Sequence, residues 1–348
     1  MTIRVFDFFS GCGGTSCGFA QAGLDIALGL DIDPDSARTF QGNFPDAGFI
    51  LADIRTLDAS VLEPYVNERT HPILFCGCAP CQPFSRQNRN RSQGDDRTGL
   101  LGEFGRFVAA WLPDFVFIEN VPGLQHLPED EGPFPAFAKL LSDLGYQHTS
   151  GVLPALWFGV PQTRERFVLL ASRQGSIGLP EPTHGPGRPI DTFSTVQDWI
   201  SDLPPIAAGE THPDDPDHRA AALSAINKKR IAATPEGGGR KNWPKRLWLE
   251  CHKAHSGHSD VYGRLSWGAP ASGLTTRCIS YSNGRFGHPD QDRAISAREA
   301  ASLQTFPRTY RFAGSLESRA RQIGNAVPPL MALRIGEHFL SHAEGITR

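Results

Sequence analysis

The chain has 348 residues, 39% of them hydrophobic and 20% charged, with a net charge of −3. This composition is typical of a globular protein with one large core and room for a second, smaller domain. It contains no apolar stretch near the roughly 20 residues that span a membrane, and its first residues lack a signal-peptide pattern. Seven cysteines without framework spacing indicate free thiols. We therefore expect a cytoplasmic protein.

Short apolar strands alternate with helical segments in the first half of the chain. Strands are predicted at residues 3–9, 26–30, 49–51, 73–76, 115–118 and 167–171, and helices at 15–22, 34–44, 100–112 and 134–144. Such alternation is typical of βαβ units. It predicts an α/β fold, a doubly wound and mostly parallel sheet.

The amino-acid composition changes after about residue 172. Ten prolines lie between Pro180 and Pro244, together with three consecutive glycines at 237–239. Proline at this density excludes long helices and central strands, so we expect an irregular second domain. Helical signals return at residues 296–306 and 330–339.

A glycine-rich loop, Ser10-Gly11-Cys12-Gly13-Gly14, follows the first predicted strand and precedes the first helix. Glycines allow a tight turn and close approach of a ligand, as in nucleotide-binding folds. Asp31 ends the second strand, where such folds place a ribose-binding carboxylate. Asp53 follows the third strand and could accept an adenine amino group. Each aspartate alone could be a helix cap or turn residue, but three such elements at successive strand ends favour a nucleotide-like ligand.

A cysteine, Cys81, stands between Pro80 and Gln82 just after the strand at 73–76. A lone cysteine is often a small buried hydrophobe. Here the following loop, residues 85–97, carries four arginines and almost no apolar residue. Such a loop is suited to a polyanion and would favour the thiolate. We therefore expect Cys81 to be reachable and reactive.

Glu119 ends the strand at 115–118 and could donate a proton or a hydrogen bond to a ring nitrogen. Arg164 and Arg166 lead into the strand at 167–171. If this segment is extended, both arginines point to the same side, where they could clamp a phosphate or a carbonyl oxygen.

A basic stretch runs from residue 227 to 246, with seven basic residues and one acid, a local net charge of +6 beside Trp243 and Trp248. A solvated charged surface is the alternative, but this concentration favours a surface that contacts phosphates. The basic residues are Lys228, Lys229, Arg230, Arg240, Lys241, Lys245 and Arg246.

Two groups of potential metal ligands have no recognisable site spacing, so we predict no metal. They are Cys76, Cys78 and Cys81, and then Cys251, His252, His255 and His258. The second group is better explained by hydrogen bonding or nucleic-acid contact.

Taken together, the motifs resemble those of the cytosine-C5 DNA methyltransferases. They occur in the family's order and span nearly the whole chain: Phe9-Ser10-Gly11-Cys12-Gly13-Gly14, Pro80-Cys81-Gln82, Asp96-Arg97-Thr98-Gly99-Leu100, Glu119-Asn120-Val121, Gln162-x-Arg164-x-Arg166, residues 293–307, and Gln322-x-Gly324-Asn325-Ala326-Val327-Pro328. The resemblance implies a catalytic and cofactor-binding domain at 1–175, a target-recognition domain and hinge at 176–317, and a segment at 318–348 that returns to the first domain.

The resemblance also implies S-adenosyl-L-methionine as the cofactor. Ile32 departs from the many relatives that carry an aromatic residue at this position. The implied cofactor residues are Phe9, Gly11, Cys12, Gly13, Gly14, Asp31, Ile32, Asp53, Ile54, Pro80, Leu100, Asn325 and Val327.

The resemblance implies the catalytic roles as well. Cys81 would attack C6 of a flipped cytosine, Glu119 would bind N3 and the exocyclic amine, and Arg166, with Arg164, would fix O2. The expected partner is double-stranded DNA, bound by a monomer without an obligatory protein partner, in a restriction-modification or host-protection system. In a bacterium the protein would associate with the nucleoid. The expected DNA contacts are Ser85, Arg86, Gln87, Arg97, Lys228, Lys229, Arg240, Lys241 and Lys245.

Three other functions compete with this one. The tRNA-modifying branch of the family shares the Pro-Cys-Gln core, but its Cys-Phe-Thr signature is missing from this sequence. A catalytically dead binding module would not need Cys81, Glu119 and Arg166. A redox thiol enzyme would need a resolving cysteine and no arginine clamp.

Overall fold

The structure is a computed structural model that describes residues 2–66, 70–79, 99–122, 132–253 and 260–346. Its contacts divide the chain into two compact units. The first unit comprises Met1–Pro154, Glu165–Pro182 and Val327–Arg348, and the second Ala155–Arg164 and Thr183–Ala326. A target-recognition role for residues 176–317 stays a prediction. Within the described ranges, every helix is too short or too polar to cross a membrane.

The first unit alternates strands and helices in the predicted way. Its elements are β1 (Arg4–Phe8), α1 (Gly14–Gln21), β2 (Asp25–Asp31), α2 (Pro34–Asn43), β3 (Gly48–Leu51), β4 (Ile73–Gly77), α3 (Leu100–Trp111), β5 (Phe115–Asn120), α4 (Pro133–Asp143), β6 (Gln147–Pro154), β7 (Glu165–Ser172) and α10 (Pro329–Ile346).

The seven strands form one sheet in the order β3-β2-β1-β4-β5-β7-β6. The first five are parallel to their neighbours, whereas β7 is antiparallel to both β5 and β6. The doubly wound, mostly parallel sheet is thereby confirmed. Strand β6 was not predicted, because its sequence, Gln-His-Thr-Ser-Gly-Val-Leu-Pro, is polar and mostly accessible at the edge of the sheet.

Helices cover both faces of the sheet. On one face, Phe8 of β1 packs against Phe104 and Phe107 of α3 at centroid distances of 5.1 and 5.2 Å. On the other, Phe117 of β5 packs against Phe19 of α1. Burial of these large side chains supplies most of the favourable free energy of folding in such a unit.

The second unit has little regular structure, as the proline content predicted. Its elements are α5 (Val196–Ile200), β8 (Thr211–His212), β9 (Asp215–Arg219), α6 (Ala225–Ala232), α7 (Glu250–Lys253), α8 (Ala297–Leu303) and α9 (Leu316–Asn325). Helix α8 begins at a capping box, in which Ser296 and Glu299 each bind the other's backbone N–H.

The C-terminal helix α10 lies against α1, and Gly18 allows this contact. A methyl group on Gly18 would lie 2.1 Å from the carbonyl oxygen of Pro329 and 2.6 Å from Cβ of Ala332. A backbone atom at that distance cannot rotate away, so the side chain would force the helices apart.

We predict that Gly18→Ala lowers the free energy of unfolding by about 1–3 kcal/mol through this overpacking. The matched control is Gly42→Ala in α2, where the described residues leave the Cβ position open. That variant should gain roughly 0.5–1 kcal/mol, because alanine loses less backbone entropy than glycine. Urea unfolding measures both, and equal stabilities of the two variants would contradict the packing argument.

Candidate active site

The polar groups of the first unit gather at one edge of the sheet. The strands β1 to β5 are parallel, so their carboxyl ends share this edge. Because β7 runs the opposite way, its first residues, Glu165 and Arg166, lie there as well. Open α/β sheets bind their ligands at this edge.

The glycine-rich loop turns through left-handed backbone conformations. Phe9, Gly11 and Gly13 have φ values of 57°, 52° and 85°. Phenylalanine rarely adopts such a φ, and strain of this kind concentrates at functional sites. The N–H of Gly11 donates to Oδ2 of Asp31 at 2.8 Å. The loop is thus joined to the end of β2 by a charge-assisted hydrogen bond.

Asp31 accepts a second backbone hydrogen bond, from the N–H of Asp33 to its Oδ1 at 2.9 Å. Burial raises the pKa of Asp31, and these hydrogen bonds oppose the rise. Next to it, the Ile32 side chain is 63% exposed, and Leu51 of β3 is 51% exposed. Two exposed apolar side chains beside an oriented carboxylate suit a ligand with a ribose and a flat base. These residues therefore fit an adenosyl group.

Asp53 is held by its own neighbour. Nε of Arg55 lies 3.0 Å from both carboxylate oxygens, and Nη2 lies 2.5 Å from Oδ2. The Arg55 side chain and backbone N–H lower the pKa of Asp53, so this carboxylate is ionised and oriented. Ile54 is buried in the core of the first unit, and its side chain packs there.

The other predicted cofactor residues lie in different surroundings. Cys12 and Gly14 are buried, and Leu100 is the first residue of α3. Val327 is buried in the first unit, and Asn325 is an exposed residue at the end of α9 in the second.

Glu119 and Arg166 form an ion pair at the ends of adjacent strands. Nε of Arg166 lies 2.6 Å from Oε1 of Glu119, and both side chains are largely buried. Burial lowers the pKa of Arg166, and the Glu119 carboxylate opposes this. The pair places the acceptor oxygens of Glu119 beside the guanidinium donors of Arg166. This combination suits a planar ring that carries an N–H group and a C=O group on the same edge.

Asn120 is a site residue that the sequence reasoning did not single out. Its Nδ2 donates to the carbonyl of Ala79 at 3.0 Å, and its Oδ1 accepts from the N–H of Val121 at 2.7 Å. It therefore ties the end of β5 to the residue before Pro80. Its place inside the Glu119-Asn120-Val121 motif was the available signal.

Several predicted residues lie outside the described residues. They are Pro80 and Cys81, and the loop residues Ser85, Arg86, Gln87 and Arg97. His255 and His258 lie outside them as well. Elsewhere in the part of the chain that the structure describes, groups of three or more His, Cys, Asp or Glu side chains in metal-binding geometry are absent.

Arg164 does not fulfil the expected clamp with Arg166. It precedes β7, is buried in the second unit, and its Nη1 donates to the carbonyls of Leu274 and Gly324, each at 3.0 Å. The clamp requires both guanidinium groups on the same side, whereas that of Arg164 is engaged by these two carbonyls. Arg164 therefore stabilises backbone within the second unit.

The basic stretch divides into exposed and buried cations. Lys228, Lys229, Lys241, Lys245 and Arg246 are exposed. Arg240 and Arg230 are buried. The burial of Arg240 does not favour a phosphate contact, and its place among the DNA contacts stays a prediction.

Asp7 is a buried carboxyl group that the sequence reasoning did not use. It aligns across the sheet with Gly29 of β2 and Cys76 of β4. Its Oδ2 accepts from the Ser16 hydroxyl at 2.6 Å, and its Oδ1 has no hydrogen-bond partner among the described residues. Burial raises the pKa of Asp7 to about 7 against the effect of the Ser16 hydrogen bond, with a further contribution from Asp31.

The chain is similar to known proteins over nearly its whole length. The family model described as C-5 cytosine-specific DNA methylase matches residues 3–341. The Type II methylase M.HgiDII of Herpetosiphon aurantiacus is 40% identical, over 99% of this chain and 97% of its own length. The Type II methyltransferase M1.HphI of Haemophilus parahaemolyticus is 34% identical, over 98% of this chain and 87% of its own length.

Solved structures share the fold. A candidate DNA modification methyltransferase encoded within an E. coli prophage superimposes with a TM-score of 0.77 at 24% identity, over 98% of this chain and 99% of that one. The DNMT2 of Spodoptera frugiperda superimposes with a TM-score of 0.63 at 17% identity, over 97% of this chain and 98% of that one.

We predict that Asp7 makes the stability of the protein depend on pH. The folded pKa of about 7 lies above the ordinary value of 3.8, so the folded state binds the proton more tightly. Stability is therefore full below about pH 4 and falls as the pH rises towards 7, by a few kcal/mol in total. Asp7→Asn cannot titrate, so its unfolding free energy relative to wild type should rise over this interval.

Urea unfolding at pH 4.5 and pH 8 measures most of this difference, because pH 4.5 lies less than one unit above the unfolded value of 3.8 and pH 8 lies about one unit above the folded value of about 7. The control is Asp46→Asn, an exposed carboxylate, whose profile should parallel that of wild type. A constant offset between Asp7→Asn and wild type would assign the pH dependence to another group.

Proposed function

This chain belongs to the C-5 cytosine-specific DNA methylase family, and from that premise we propose that it methylates C5 of a flipped cytosine through a covalent adduct to Cys81. The observation that carries the proposal is the Glu119–Arg166 pair, which lies at the same sheet edge as the glycine-rich loop. A pyrimidine inside a stacked duplex cannot reach such a group, so the base must leave the helix.

We propose S-adenosyl-L-methionine as the cofactor, which supplies an electrophilic methyl group when bound. Asp31 would accept hydrogen bonds from the ribose, since the Gly11 and Asp33 N–H groups already orient its carboxylate. Ile32 and Leu51 would cover the adenine, and Asp53 would accept from its amino group. The strained Phe9 would lie against the same base.

Cys81 would act as the nucleophile. Its thiolate adds to C6 of the cytosine, and the electron pair of the C5–C6 double bond makes C5 nucleophilic. After C5 has gained its methyl group, H5 leaves as a proton and the thiolate departs from C6, which restores the double bond. Cys78 is a poor alternative, because burial and the nearby Glu119 carboxylate raise the pKa of its thiol.

Glu119 and Arg166 would hold the ring. The Glu119 carboxyl group would accept a hydrogen bond from the exocyclic amine and donate a proton to N3 as the thiolate adds to C6, taking it back when the thiolate departs, and the Arg166 guanidinium would donate to O2. These contacts stabilise the charge that develops on the ring when the thiolate adds. Asn120 would keep the cysteine segment in place through the carbonyl of Ala79.

We propose double-stranded DNA as the substrate and a restriction-modification or host-protection system as its setting. The name of the 40%-identical relative, a Type II methylase, supports this. Lys228, Lys229, Lys241 and Lys245 would contact phosphates, which positions a duplex without recognising its sequence. The four arginines of residues 85–97 would contact the same polyanion.

The test is transfer of a radiolabelled methyl group to duplex DNA and to tRNA. We expect DNA labelling by wild type and at least a hundredfold loss in Cys81→Ser, because a serine hydroxyl is a far weaker nucleophile than a thiolate. Cys78→Ser is the matched control and should stay active. DNA with 5-fluorocytosine, which cannot lose its C5 substituent, should trap an adduct on the Cys81 peptide.

Labelling of tRNA but not of DNA would show that the substrate is tRNA, as for the tRNA-modifying branch of the family. An adduct that maps to Cys78 would overturn the assignment of the nucleophile.

A second variant, Asp31→Ala, tests the cofactor site. Loss of a charged acceptor from a partly buried ribose hydroxyl costs roughly 1.5–3 kcal/mol, or about ten- to a hundredfold in affinity for S-adenosylmethionine. Calorimetry measures this, with Asp58→Ala, which removes the cap of a short helical turn, as control. The modified DNA sites should not change. Equal affinities of wild type and Asp31→Ala would remove Asp31 from the site.

A further inference from the structure

Trp248 presents an apolar surface to solvent in the second unit, where its side chain is 37% exposed. Its indole Nε1 donates to the carbonyl of Trp243 at 3.0 Å, so its single polar group is already hydrogen-bonded within the chain. Trp243 is itself buried in the small core of this unit. The indole is therefore fixed in position, and its accessible surface is apolar ring.

Arg230 anchors the segment on which Trp248 stands. Its Nε donates to the carbonyl of Leu247 at 3.0 Å, and its guanidinium lies over the rings of Trp243 and Tyr262 at 5.2 and 5.5 Å. These cation–π contacts join α6 to the segment before Trp248. Arg230 thus joins α6, which carries Lys228 and Lys229, to the backbone just before Trp248.

Trp248 belongs to the basic stretch, with the exposed Lys245 and Arg246 before it and the exposed acid Glu250 two residues after it. Among the described residues, none of the five exposed cations of the basic stretch has an ion-pair partner, whereas Arg230 and Arg264 bond inside the unit. The five are Lys228, Lys229, Lys241, Lys245 and Arg246. Uncompensated cations favour a polyanion. An apolar protein surface would leave them without counter-charges, so it does not fit here.

We propose that the ring of Trp248 contacts the bases or deoxyriboses of the bound DNA while the surrounding cations contact its phosphates. The inference rests on the proposed function, in which DNA is the substrate. Aromatic and apolar side chains make such contacts by stacking, by insertion between base steps or against a thymine methyl group. Unlike a phosphate contact, this one releases no counterions, so its contribution to affinity is independent of salt.

The experiment measures binding of the full chain to a duplex across a range of salt concentrations. Trp248→Ala should lose about tenfold in affinity at every salt concentration, with an unchanged slope of log affinity against log salt. Trp248→Phe should keep most of the affinity because it keeps a ring. The double variant Lys241→Ala, Lys245→Ala should instead reduce the slope by about 0.9 for each phosphate that is no longer neutralised.

Two further measurements guard against a folding defect. Trp157→Ala, which removes an indole with 38% exposure from another place in the second unit, is the matched control and should bind like wild type. DNA should quench the tryptophan fluorescence of wild type, and the quenching should be smaller in Trp248→Phe.

Unchanged affinity of Trp248→Ala, an altered salt slope, or equal quenching in wild type and Trp248→Phe would each overturn the inference. In those cases wild type would still methylate DNA, so the proposed function would stand. Absence of methyl transfer to DNA by wild type would instead reject the proposed function itself.

Discussion

In the second unit, the guanidinium of Arg264 donates to the backbone carbonyls of Ile231, Thr234, His288 and Gln291. Arg285 does the same for the carbonyls of the glycine turn at 237–238. A buried carbonyl must find a donor, and a segment rich in proline cannot supply enough N–H groups from regular structure. Arginine, with five donors in a planar fork, replaces the missing ladder. The fold of this unit therefore depends on arginine side chains that donate to backbone carbonyls in place of backbone N–H groups.

The same constraint explains which cations remain outside. Arginine is weakly hydrated and bonds several acceptors at once, so Arg164, Arg230 and Arg264 are buried. Lysine is a strongly hydrated point charge with a flexible stem, and Lys228 and Lys245 stay at the surface. A count of basic residues along the sequence therefore overstates the charge available to a polyanion, and the role of this stretch in DNA binding stays a prediction.

In the first unit, the backbone is satisfied by the sheet, and polar side chains are left to gather at its edge. Asp31, Asn120 and Glu119 each bond a neighbouring loop or strand there. Asp7 is the exception, because it lies one row inside the sheet, where Ser16 donates to it and its Oδ1 has no hydrogen-bond partner among the described residues. Burial of this carboxyl group therefore costs desolvation free energy near the end of β1, just before the glycine-rich loop.

The sequence by itself determined the alternation of β1 to β5 with their helices. Strands that are buried on both faces must be short, continuous apolar runs, and such runs can be recognised directly in the sequence. It also determined which residues stand at strand ends, among them Asp31 and Glu119. Only the tertiary structure decided that β7 runs antiparallel to β5, which brings Arg166 into an ion pair with Glu119. It also decided that the guanidinium of Arg164 bonds backbone carbonyls and takes no part in that pair. Strand direction and arginine partners depend on contacts between residues far apart in the chain, and no local pattern encodes them.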